Sequence, residues 1–243
     1  VNRAGAQLRS CLWLLPLLAP LAAAAAQPSD EALERWFESD EQRYPFEMHG
    51  GSERLEFITP EPGRRIPFSQ TRIALTRESL QSGWAAIVQC HDSLDPVPDA
   101  EVVYRFDRMR GLRITQQRAI GETRVEGQTV QLREVGEGAR LCLELEAQLL
   151  SCRQDGSYRL RYGPFQRRFL DSYFPMHVAL ELRFPPASLS VERITPDPAA
   201  GFELVEEADR IALEAWVRGR FIVELALRGA AGCKLAEDAE AGS

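Results

Sequence analysis

The chain is almost without lysine. Lys234 is the only one among 243 residues, so arginine carries the positive charge, and the formal sum is still −7. An acidic balance excludes a general nucleic-acid binder, which needs a basic face to displace counterions. Arginine in place of lysine beside abundant alanine reads first as the imprint of a GC-rich genome. The sharper alternative is selection for guanidinium forks that grip carboxylate or phosphate. Catalytic signatures are missing too. There is no Gly-x-Ser-x-Gly elbow, no His-Glu-x-x-His, no Walker loop and no Gly-x-Gly-x-x-Gly, and Cys-x-x-Cys-His is absent, so no motif calls for a cofactor and none is expected. The one sustained apolar run, Leu12 to Leu21, is interrupted by Pro16 and Pro20, so no permanent membrane span is expected in a mature chain.

What is present begins with that run. Arg3 and Arg9 precede it and Ala24-Ala25-Ala26 follows it, the layout of a cleavable export signal over residues 1–26. Cys11 lies before the apolar run, so no acylated cysteine would begin the mature chain. Residues 27–51 are expected to hold one short amphipathic helix and a linker. In Ser29–Arg43, Ser29 suits the N-cap, Asp30 and Glu31 suit the positive helix end, and Leu33, Trp36 and Phe37 form an apolar stripe.

Beyond Gly51 the periodicity is two. Short alternating runs such as Trp84 to Cys90, Arg140 to Glu146, Val178 to Phe184, Ile211 to Val217 and Phe221 to Leu227 are separated by glycine, proline and Asp-Gly turns. The fold class expected is therefore all-β. Two β-sandwich modules are predicted, over 52–162 and 178–228, joined by an aromatic connector over 163–177 and followed by a flexible acidic tail over 229–243. Within the connector, Phe165, Phe169 and Phe174 are spaced as buried anchors, which makes it a wedge between modules. The run Phe184-Pro185-Pro186-Ala187-Ser188-Leu189, then Val191-Glu192-Arg193-Ile194-Thr195-Pro196, then Gly201-Phe202, loosely resembles cohesin and carbohydrate-binding-module sandwiches. The resemblance implies an immunoglobulin-like or carbohydrate-binding-module-like architecture and no particular ligand.

Removal of the signal leaves Cys90, Cys142, Cys152 and Cys233, an even count suited to disulfides in an oxidising compartment. Leu141, Leu143 and Leu145 share one strand face, and Cys142 and Glu144 share the other. If the chain reverses at Ala147, Cys142 comes opposite Cys152. The predicted pair is Cys142–Cys152, with Cys90–Cys233 as its companion if the tail folds back.

Candidate chemistry is thin. Cys90 and His91 are adjacent on a strand and point to opposite faces, so they do not form a dyad. The same geometry splits Met176 from His177, which weakens a copper-handling reading, and no metal ligand set is assigned. The arginines are the clearest polar clue. Arg167, Arg168, Asp171 and Tyr173 are the expected binding residues, at the wet edge of the connector, with an anionic polysaccharide or an envelope protein as partner. These features predict an exported, periplasmic or extracellular, non-enzymatic protein that binds or scaffolds an envelope component. An envelope-polymer enzyme with unplaced carboxylates and a periplasmic copper handler stand as alternatives.

Overall fold

The computed structural model of the protein describes residues 51–59, 63, 65–230 and 232–233. These belong to one compact unit, His49–Ser243. The expected export signal, the helix over Ser29–Arg43, Met48-His49 and residues 234–243 of the tail lie outside the described residues.

The fold is all-β. In chain order the strands are β1 (Glu56–Phe57), β2 (Phe68–Ala74), β3 (Trp84–Leu94), β4 (Asp99–Val103), β5 (Met109–Glu126) and β6 (Thr129–Gln148). There follow β7 (Leu150–Cys152), β8 (Tyr158–Phe165), β9 (Arg167–Phe169), β10 (Ser172–Phe174) and β11 (Met176–Arg183). The chain ends with β12 (Leu189–Thr195), β13 (Phe202–Glu207), β14 (Arg210–Arg218) and β15 (Phe221–Gly229). A single turn of helix, α1 (Ser79–Ser82), precedes β3.

Two sheets form the body. The larger runs β1-β14-β11-β2-β3-β6-β4, with β13 beside β14 and β5 beside β6. The smaller runs β12-β15-β8-β7, and β9 and β10 form a separate hairpin. Strict alternation drives the apolar faces together. Ile211, Leu213, Ala215 and Val217 of β14 are buried, as are Met176, Val178, Leu180 and Leu182 of β11, while Phe221, Val223, Leu225 and Leu227 of β15 face them from the smaller sheet. A chain of rings runs through this core, from Phe202 to Phe57 (5.4 Å), Phe57 to Phe221 (6.0 Å), Phe221 to Phe165 (6.0 Å) and Phe165 to Tyr162 (5.3 Å).

The partition into modules 52–162 and 178–228 does not describe this architecture. Strand β11 pairs in parallel with β2, from His177↔Phe68 to Arg183↔Ala74, so strands from both sides of the connector share one sheet. The reason is that successive strands change sheets. β14 and β15 are neighbours in sequence yet lie in opposite layers, and the switch occurs at Gly219, whose φ is 91° and whose absent Cβ would strike the Arg54 carbonyl.

The same crossing corrects the disulfides. They are Cys90–Cys142, with Cα atoms 4.0 Å apart, and Cys152–Cys233, with Cα atoms 5.6 Å apart, not Cys142–Cys152 and Cys90–Cys233. No hairpin forms at Ala147. β6 continues to Gln148, the amides of Leu149 and Leu150 both donate to the Gly83 carbonyl (2.9 and 3.1 Å), and β7 starts in the other sheet. Cys142 therefore faces Cys90 across β3, while Cys152 sits opposite Tyr158 on β8. Peptide mapping of the non-reduced protein is expected to return these two links; a Cys142–Cys152 peptide would refute the crossing.

Candidate functional site

The β9–β10 hairpin carries all four expected binding residues, and it divides their roles. Arg167 is a brace. Its Nε and Nη2 donate to the two carboxylate oxygens of Asp95, each at 2.6 Å, its Nη1 donates to the Pro175 carbonyl (3.1 Å), and its guanidinium lies 5.3 Å from the centre of the Phe174 ring. A bidentate, largely buried fork of this kind fixes geometry and has little left to offer a ligand. Tyr173 is buried, and its backbone exchanges two hydrogen bonds with Gly51 (2.9 and 3.1 Å). Arg168 folds over the turn, donating from Nε to the Leu170 carbonyl (2.6 Å) and from Nη2 to Asp171 (3.1 Å). Arg168 and Asp171 thus frame the hairpin tip, and Arg167 and Tyr173 anchor its base.

Between the framing charges stand Phe169, 57% exposed, and Leu170, 76% exposed. The expectation that Phe169 is a buried anchor is corrected here. The register pairs Phe169 with Ser172 at the far end of the hairpin, beyond the reach of either sheet, whereas Phe165 and Phe174 are buried. Leu170 turns the chain with φ of 50°, a left-handed conformation that costs a branched, non-glycine residue about 1–2 kcal/mol. Turn chemistry would place glycine or asparagine there. An apolar side chain held in strained backbone and open water breaks two local rules at once, and neither local structure nor the core gains from it. Sequence reasoning missed this pair; the signal available was two apolar residues, Phe169-Leu170, running directly into the turn-forming Asp171-Ser172.

The outer face of the larger sheet offers a second arrangement. His177 on β11 is sandwiched by Phe68 on β2 and Trp216 on β14, each ring 4.3 Å away, and its Nε2 is 2.6 Å from Oε1 of Glu214. Met176 points into the core, so the pair is split as strand geometry requires. Among the described residues no three His, Cys, Asp or Glu side chains gather as metal ligands. Both faces of the imidazole are covered by its neighbours, which removes the flat ring face that sugar stacking uses. Trp84, on the same sheet, is covered by the Arg110 guanidinium at 4.4 Å, and Arg110 also bonds Glu146 (2.6 Å).

Inside the sandwich, Gln89 holds a buried polar knot. Its Nε2 donates to Thr71 (2.9 Å) and Ser69 (3.2 Å), and its Oε1 accepts from Tyr104 (2.7 Å). Burial pushes the Tyr104 and Tyr162 phenols up, so both stay neutral. The Thr71 hydroxyl lies toward Tyr162 Oη without reaching hydrogen-bond geometry, and His91 Nε2 likewise has no partner among the described residues. Desolvation lowers the His91 pKa to about 4, opposed in part by the Asp92 carboxylate. Cys90 and His91 point to opposite faces, so no dyad forms.

Among the described residues, the carboxylates whose acidity is clearly perturbed become stronger acids. Glu181 is held down by its bond from Arg183 and then Arg210, Glu224 by its bond from Arg159, and Asp155 by the hydroxyl and amide of Ser157. A general acid needs the opposite shift.

No protein-family model matches the chain, and no curated protein matches it. Among solved structures it is similar to an M1 zinc metallopeptidase from Deinococcus radiodurans, at 16% identity over 70% of this chain and 44% of that chain, with a TM-score of 0.36. A mutant of the M1 zinc metallopeptidase from the same organism, bound to a Tyr-ser-ala substrate, matches at 14% identity over the same shares, with a TM-score of 0.33. The chain spans less than half the length of those enzymes, and a likeness this loose carries no argument about activity.

Proposed function

We propose that the protein is an exported, non-enzymatic β-sandwich that binds a protein partner of the cell envelope through the β9–β10 hairpin. The observation that carries this reading is Leu170, with Phe169 beside it, exposed on a left-handed turn above a clamped base. Rigid apolar anchors on a braced loop bind with little ordering cost, and anchors of this kind supply most of the energy of a protein interface. The framing Arg168 and Asp171 suit a polar rim that sets orientation. Supporting features are the four disulfide-bonded cysteines, which fit an oxidising compartment, and the export layout of residues 1–26. Among the described residues no helix is long and apolar enough to cross a membrane. A protein partner is favoured over a polysaccharide because the tip is a protruding knob and the aromatic row on the sheet is stacked on itself.

Leu170→Gly is expected to leave stability unchanged or to raise it by up to about 1 kcal/mol, because glycine relieves the turn. The same change combined with Phe169→Ser should abolish capture of the partner by a photo-cross-linker placed at Asp171. A cross-linker at Arg72, on the exposed sheet face, serves as the control. Undiminished capture in the double variant would remove the hairpin from the interface; a loss of stability above about 2 kcal/mol would make the tip structural.

A further inference from the structure

The open edges of the two sheets are not alike. β5 is interrupted by three register shifts along β6, β12 by one along β15, and β7 is only three residues long. Bulged or short edges resist any added strand. Two edges keep unbroken register, the five residues of β4 along β6 and the six of β13 along β14, from Phe202↔Ala215 to Glu207↔Arg210, and among the described residues the longer, β13, has no partner on its other side. The Gly201 carbonyl accepts from Trp216 (2.9 Å), which sets the alternation along the pair. Glu203, Val205 and Glu207 therefore turn their backbone groups toward β14, and Leu204 and Glu206 turn theirs to the open side.

The side chains along this edge are Glu203, Glu206 and Glu207, all exposed, with Val205 52% exposed among them. Glu207 is paired with Arg210 (2.7 Å), but among the described residues no cation lies in ion-pair range of Glu203 or Glu206. Glu203 also stands directly opposite Glu214, whose Oε1 contacts His177, so two carboxylates oppose each other across the ladder. Like charges placed so are unfavourable until a cation joins them.

We infer that β13 is a docking edge for an extended polypeptide segment whose side chains alternate basic and apolar. A bulge blocks every strand, whereas a row of glutamates blocks only some. It repels acidic strands and a second copy of β13, and it attracts a basic one. The added strand takes the free amides and carbonyls of Leu204 and Glu206, lays its apolar side chains beside Leu204 on the core-side face, and sets its cations beside Glu203 on the other face, their methylene stems crossing Val205. This surface stands independently of the hairpin, and either could fail alone.

The test uses the full chain and a fluorescent seven-residue peptide alternating lysine and valine, read by anisotropy. The wild type should bind it. Glu206→Pro removes an edge-facing amide and leaves the β14 ladder intact, so binding should be lost at unchanged melting temperature. Glu203→Lys should weaken the lysine peptide by about tenfold and favour a glutamate–valine peptide in its place. On the ligand side, N-methylation of alternate amides should abolish binding in one register. No binding by the wild type would overturn the inference. So would equal binding of the N-methylated peptides, or wild-type affinity in Glu206→Pro, since either would mean charge attraction without strand addition.

Discussion

Lowering the pH from 7 to about 4 is expected to remove roughly 2–3 kcal/mol of stability through His91 alone. The imidazole has a folded-state pKa of about 4 against 6.5 for an unperturbed histidine, because burial disfavours its charged form. Below pH 6.5 the unfolded chain takes up a proton that the folded chain refuses. The contribution is therefore complete above that value, falls by up to about 1.4 kcal/mol per pH unit on acidification, and levels off below pH 4. The full interval would give about 3 kcal/mol; since His91 as a residue is only half-buried, local relaxation should take some of this back. The charged groups of known pull are few. Asp92, its neighbour in sequence, favours the proton, and the nearby polar core of Ser69, Gln89, Thr71 and Tyr104 brings no carboxylate. Urea denaturation at several pH values tests this with His91→Leu. At pH 7 the variant should match the wild type within about 1 kcal/mol, because it also removes an unpartnered nitrogen, and at pH 4.5 it should be the more stable protein. Parallel loss in both proteins would assign acid sensitivity to the carboxylates held by arginine, such as Glu181 and Glu224.

The all-β class was legible because alternation is strict where one face is sealed. In β14 and β15 each second residue is buried, and both spans can be read directly from Ile211 to Val217 and from Phe221 to Leu227. Partner choice was not legible, because it depends on which layer each strand enters. Nothing in Val178 to Phe184 announces parallel pairing with Phe68–Ala74, and that pairing dissolves the two-module division. Continuity was hidden by punctuation. Gly138 reads as a turn, yet it lies within β6 with φ of 66°, so one strand of 20 residues looks like two. The disulfide misassignment followed from the assumed reversal at Ala147. At the candidate site the sequence located the right stretch and misassigned its members. Arginine attracted attention as the charged residue, but Arg167 is consumed by Asp95, and the exposed information is apolar. A side chain's availability is a tertiary fact, fixed by what else reaches it.

Phe221→Ala is the substitution expected to cost most, about 3–5 kcal/mol, because it deletes a fully enclosed ring at the junction of the layers. Phe221 touches Phe57 of β1 and Phe202 of β13 edge-on, at 6.0 and 5.8 Å, and Phe165 of β8 at 6.0 Å. Those partners come from both sheets, so the void could close only if the layers moved together. Gly219, pressed against the Arg54 backbone, and Arg220, whose amide donates to the Glu53 carbonyl (3.0 Å), hold the strand start in place and oppose that collapse. Phe169→Ala removes the same side chain from the hairpin tip and should change stability by no more than about 0.5 kcal/mol. The two variants share their chemistry and differ only in surroundings, so their difference under urea measures what the inter-layer core is worth at one position. Equal costs would mean that the ring chain from Phe202 to Tyr162 is not close-packed, or that the hairpin tip is buried against the body.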